Sequence, residues 1–182
     1  MDDSQRGRRP SRVPSASRAP PLAKILDCGE GLALAEAGYV FIALWRESVT
    51  RALFEKQRLG LSYLARRYPG EVSFLCVIEA TSKPPEDEIR KASAEMIASL
   101  SGNLRCVALV IEGSGFRAAV TRGVLIGMSL LLPNRHVEVS YFSDVVGAVA
   151  WMSVRTPINS DEALILAVDR LRSLLIPTKG GV

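Results

Sequence analysis

Residues 72–111, VSFLCVIEATSKPPEDEIRKASAEMIASLSGNLRCVALVI, read as a complete strand–helix–strand unit. Val72–Ile78 is apolar on both alternating faces, as a strand in the middle of a covered sheet must be. Thr81-Ser82-Lys83-Pro84-Pro85 is a loop, and Glu86, Asp87 and Glu88 open a helix where negative charge suits the positive end of the helix dipole. The apolar stripe of that helix is Ile89, Met96, Ile97 and Leu100, with Ser93 on the same face. Gly102-Asn103 stops it, and Leu104–Ile111 (LRCVALVI) is a second buried strand. Two buried strands joined through a helix predict a parallel pair and hence an α/β layered domain.

The pattern continues upstream. Tyr39–Trp45 (YVFIALW), rich in aromatic and β-branched residues, predicts a strand, and Gly38 joins it to a shorter one at Gly31–Ala37 as a hairpin. Ser48 is placed to cap a helix running to Tyr68. Leu53, Gly60, Leu61, Leu64, Ala65 and Tyr68 face inward along it, and Pro69-Gly70 ends it. Downstream of residue 111, Gly113-Ser114-Gly115 leads into a predicted helix, Phe116–Leu132, with Ala119, Gly123 and Gly127 at four-residue spacing. Val137–Phe142 alternates as a half-exposed strand, and Ser143 is placed to cap a helix over Asp144–Val154. Thr156-Pro157 breaks the chain before a last helix from Ser160 to Ile176. The expected fold is a small mixed sheet of about five strands covered by helices, with an extra C-terminal helix. It forms a single domain over 22–176, with a flexible end at 177–182.

Charge and composition narrow the function. The chain has 23 Lys and Arg, 19 Asp and Glu, one His and three Cys, for a formal charge of +4. Arg6, Arg8, Arg9, Arg12 and Arg18 lie in residues 1–21 with only Asp2 and Asp3, which leaves residues 22–182 at +1. The first 21 residues are rich in Arg, Pro and Ser and hold too little apolar surface to offset ordering entropy, so they predict a disordered tail. Arg6, Arg8, Arg9 and Arg12 make it a candidate electrostatic arm. The near-neutral body lacks the basic excess that nucleic-acid binding by charge needs. A single histidine and three scattered cysteines give no metal site, and no cofactor motif is present.

No apolar core follows the arginines as in a secretory signal, and the longest apolar run, Val124–Leu132, ends at Pro133 well short of a membrane span. The expectation is a soluble, cytoplasmic protein with no transmembrane segment and with buried thiols at two of Cys28, Cys76 and Cys106.

The strand LRCVALVI followed by a glycine and a helix, then VEVSYF (137–142) leading into VVGAVAWM (145–152), resembles the STAS-like domains of anti-sigma-factor antagonists and the wider STAS–SEC14-like superfamily. The resemblance covers about residues 30–155. It implies a binding module whose loops and helix N-termini face a protein partner, often under phosphorylation control. The family's phosphorylated turn is of the Asp-Ser-Ser/Thr-Gly type, and residues 79–85 (EATSKPP) lack it. What carries over is the fold and the protein-binding surface, not the switch.

Candidate binding residues are those expected at the carboxyl ends of the strands, where α/β sheets gather ligands: Thr81, Ser82, Gly113, Ser114 and Gly115. The 113–115 turn offers backbone N–H groups to an anion but lacks the lysine of a phosphate loop. Glu112 replaces the first glycine of the hydrolase nucleophile turn. His136 precedes its strand and falls at the opposite end from Ser114, Thr81 and Ser82, which argues against a catalytic triad. Glu79 and Glu112 end two neighbouring strands. Such a pair suits acid–base work when one pKa is raised, and otherwise accepts hydrogen bonds from loop N–H groups or arginine.

With no assembled catalytic set, the expected function is a non-enzymatic interaction or regulatory module acting through a protein partner or homodimer. Trp45, Trp151 and the apolar excess of the 116–132 and 160–176 helices are its candidate contact surfaces. The alternative is a carrier or sensor of a small apolar or anionic ligand.

Overall fold

The computed structural model describes residues 23–113 and 137–175. In chain order these form β1 (Lys24–Cys28), β2 (Leu32–Ala37), β3 (Val40–Trp45), α1 (Arg51–Arg67), β4 (Val72–Ile78), α2 (Asp87–Leu100), β5 (Leu104–Ile111), β6 (Glu138–Phe142), α3 (Val145–Ser153) and α4 (Asp161–Leu174). The α/β class and the C-terminal helix are as the sequence predicts. Arg6, Arg8, Arg9, Arg12, Ser114, Gly115, His136 and the predicted helix 116–132 lie outside the described residues.

The sheet has six strands in the order β1-β2-β3-β4-β5-β6, one more than the five expected. The extra strand is β1, whose residues alternate exposed and half-buried and whose register slips between Ile25 and Asp27. Lys24 and Asp27 break up its apolar signal. Charge and a bulge are also what keep an outer strand from pairing further. β1–β2 and β2–β3 are antiparallel, and β3–β4, β4–β5 and β5–β6 are parallel. Gly38 opens the two-residue β2–β3 turn with φ 61°, a conformation that costs glycine little.

Side chains alternate between two buried layers. Phe41, Trp45, Phe74, Cys76 and Val107 face α1 and α2. Val40, Ile42, Leu44, Leu75, Val77, Ala108 and Val110 face α3 and α4. Both layers are buried and mainly apolar, which is why β3, β4 and β5 read as nearly unbroken apolar runs. Gly60 lets α1 lie close to the sheet, since a Cβ there would stand 3.0 Å from the Phe41 ring. Two caps fall one or two residues beyond their expected places. Thr50, not Ser48, caps α1 through the Leu53 N–H, and Asp144, not Ser143, caps α3 through the Gly147 N–H. Ser160 caps α4 as expected.

Candidate functional site

β3, β4 and β5 end in register, Trp45 beside Ile78 and Ile78 beside Ile111. The ladder runs one residue further: Glu79 N–H donates to the Trp45 carbonyl (2.8 Å) and Glu112 N–H to that of Ile78 (2.9 Å). This sets Arg46, Glu79 and Glu112 in a row along the carboxyl edge. Arg46 holds Glu79 through Nε (2.6 Å) and a terminal nitrogen (3.1 Å). It also donates to the carbonyls of Leu175 (2.8 Å) and Arg172 (3.0 Å) at the end of α4. Arg172 pairs with Glu112 and Asp169 and lies 3.6 Å from Glu79.

The two carboxylates thus meet through two arginines, the second of the two arrangements the sequence allows. Burial raises the Glu112 pKa most, Arg172 lowers it, and the nearby Glu79 charge raises it further. The hydrogen bond to Glu79 raises the Arg46 pKa against a smaller opposing effect of burial.

Thr81 and Ser82 sit beside this row, and their hydroxyls donate to the carbonyls of Arg46 (2.8 Å) and Glu47 (2.7 Å). They tie the β4–α2 loop to the β3–α1 loop. Gly113 follows Glu112 with φ 102°.

A second feature lies between α2, α1 and the sheet: a cavity of about 90 Å³ lined among others by Trp45, Gln57, Cys76, Ile89, Met96 and Leu109. Gln57 is only 4% exposed. Its Oε1 accepts the Trp45 indole N–H at 2.7 Å. Sequence reasoning missed Gln57, although the signal was there: it stands at a core position of α1, three residues after Phe54 and four before Leu61, both buried. Burial pushes the Cys76 thiol up to about 12, so it stays neutral. On the opposite side of the sheet, Ser73, Thr156 and Cys106 form a buried polar cluster in which Cys106 Sγ donates to Ser73 Oγ at 3.2 Å.

The third feature is α3. VVGAVAWMS carries no charged residue, yet only Val145, Ala148, Val149 and Met152 are buried. Val146 is 61% exposed and Val154, the C-cap residue, 78%, with Ala150 exposed between them. At its flank Trp151 packs on Phe142 (5.6 Å between ring centroids), and Arg155 lies 4.2 Å from the Trp151 centroid. Arg155 also holds Glu138 at 2.8 and 2.9 Å, a bond that keeps the Glu138 pKa low. On α4, Ile165 joins the core, while Leu166 and Leu174 are exposed.

Among the described residues no cluster of three or more His, Cys, Asp or Glu is placed to hold a metal ion, and no helix is long and apolar enough to cross a membrane. In comparisons with protein-family models, with curated proteins and with solved structures, nothing matches this chain.

Proposed function

We propose that this chain is a non-enzymatic, STAS-like interaction module that works by self-association through the outer face of α3. The observation that carries the reading is the charge-free helix whose outward residues are Val146, Ala150 and Val154. A helix apolar around its whole circumference is ordinarily covered on every side.

The occupant is a second copy, because the pattern is its own complement. Val146 and Val154 stand symmetrically about Ala150, so a two-fold axis at Ala150 sets two α3 helices antiparallel. Each Val146 then meets the other copy's Val154, and the small Ala150 pair lets the helices come close. The saturated Arg46–Glu79–Arg172–Glu112 row supports a structural task for the two carboxylates rather than acid–base work.

Sedimentation of the full chain across a concentration series tests this. A dimer at micromolar concentrations is expected, together with a monomer for Val154→Asp and for Ala150→Arg at unchanged far-UV circular dichroism. Introducing an unpaired charge into such a centre costs several-hundredfold or more in association, on the order of 4 kcal/mol. A parent chain that stays monomeric at about 100 µM, far above the dissociation constants of specific dimers, or variants that dimerise equally well, would end the proposal.

A further inference from the structure

We propose that the cavity between α2 and the sheet is a binding site for a small neutral molecule, apolar over most of its surface, whose one acceptor oxygen takes the free amide N–H of Gln57. The site is separate from the α3 face and on the opposite side of the sheet, so it stands or falls apart from self-association.

The argument starts from the amide. The Trp45 indole is a donor only, so the Gln57 atom facing it at 2.7 Å must be the oxygen, which turns Nε2 the other way. Among the described residues nothing accepts a hydrogen bond from that nitrogen. Nor is any enclosed side-chain nitrogen or oxygen left without a partner, so Nε2 lies on open space, and the space that Gln57 lines is this cavity. An amide donor that faces such a space is ordinarily answered by protein, water or ligand.

The rest of the wall sets the class of ligand. It is built mainly from Trp45, Phe74, Ile89, Met96, Leu109 and other apolar groups, with Ser93 and Tyr141 as its neutral polar members, and no Asp, Glu, Lys, Arg or His is among its described residues. The Cys76 thiol is neutral as well. A carboxylate or ammonium entering here would lose its hydration without a counter-charge, so the ligand is uncharged. Ser93 spends its hydroxyl hydrogen on the Ile89 carbonyl (2.8 Å), and Gln57 supplies the amide donor that reads the ligand's oxygen. About 90 Å³, well under the roughly 150 Å³ of a cavity that takes benzene, suits a short chain of a few heavy atoms.

The test uses the full chain, titrated with three probes of one size and followed through the methyl NMR signals of Ile89 and Met96. Butanone has the chain and the acceptor, 2-methylbut-1-ene has the same shape without the acceptor, and propanoate adds a charge. Butanone is expected to shift both methyls saturably, 2-methylbut-1-ene to bind about fivefold more weakly for want of one hydrogen bond, and propanoate to leave both signals in place. In Gln57→Leu the advantage of butanone over 2-methylbut-1-ene should vanish. Should that variant fail to fold, the comparison of the two neutral probes on the parent chain still decides. No shift of these methyls at the highest butanone concentration that leaves the fold intact, shifts only elsewhere, or equal affinities for butanone and 2-methylbut-1-ene would each overturn the assignment.

Discussion

Glu112 is an ion-paired carboxylate whose pKa moves against its partner's pull. Arg172 favours its charged form, but burial at the sheet edge favours the neutral form more strongly, and the Glu79 charge adds to burial. The folded-state value therefore stands above the ordinary 4.5. In the window between the two, the folded chain keeps a proton that the unfolded chain has released. Unfolding then releases protons, and stability falls as pH rises through the window. Glu112→Gln cannot titrate and lacks that slope. The stability of this variant minus that of the parent should rise as pH increases from the usual glutamate value upward, then level off once Glu112 is charged in both states. Urea unfolding at several values between about pH 4 and 7 measures the difference. A difference that falls with pH would mean that Arg172 outweighs burial. Among the described residues the other carboxylate with a shifted pKa, Glu138, has the opposite sign: its hydrogen bond with Arg155 lowers the pKa, so its contribution is present at neutral pH and lost in acid.

Helix starts separate what local chemistry decides from what it leaves open. Thr50, Asp144 and Ser160 each accept a hydrogen bond from the backbone N–H three residues on, whereas Glu86 at the start of α2 makes no such bond. Its side chain is one methylene too long to turn back easily, though its backbone is already extended (φ −64°, ψ 160°). Glu86→Asp keeps the negative charge at the helix N-terminus and supplies the shorter acceptor. A gain of about 0.5–1 kcal/mol is expected, read as a higher urea midpoint at unchanged slope. An unchanged midpoint would show that the α2 start is already fully solvated. The strands that were read without error, Val72–Ile78 and Leu104–Ile111, are apolar on both faces and end abruptly at Glu79 and Glu112. β1 escaped because an edge strand needs neither apolar face complete, and Lys24 and Asp27 leave KILDC with half a pattern. The cap positions of α1 and α3 are not fixed by residue type, because Ser48 is by propensity at least as good a cap as Thr50, and Ser143 as good as Asp144. Only the path of the entering chain chooses between them.

At the scale of the whole molecule, the pieces of the carboxyl edge differ in how far sequence alone can bring them together. Glu79 and Glu112 align because two apolar runs of known polarity end there, which makes their neighbourhood legible. Arg46 and Arg172 complete the row from 126 residues apart, and no local pattern announces such a meeting. Gln57 is an intermediate case, visible as a polar residue in an apolar stripe but without meaning until Trp45 is placed beside it.

Arg46 has the widest reach of these residues. It joins β3 to β4 through Glu79 and stands in for a cap on α4, whose last carbonyls at Arg172 and Leu175 have no other donor among the described residues. Arg46→Met keeps most of the side chain's volume and removes all four hydrogen bonds. Glu79 keeps only the longer approach from Arg172. Because the group is partly open to solvent, the expected loss is about 1–2 kcal/mol, between the values for exposed and for fully buried pairs. The loss should also be uneven. Amide hydrogen exchange in the variant should quicken most around Leu171 and Leu175, where the α4 end is untied, while Leu75, Val77 and Ala108 in doubly paired strands follow only the global change. Uniform loss across α4 and the sheet would mean that α4 is held by its apolar face alone, through Leu164, Val168 and Leu171, and that the arginine's bonds to its end are incidental.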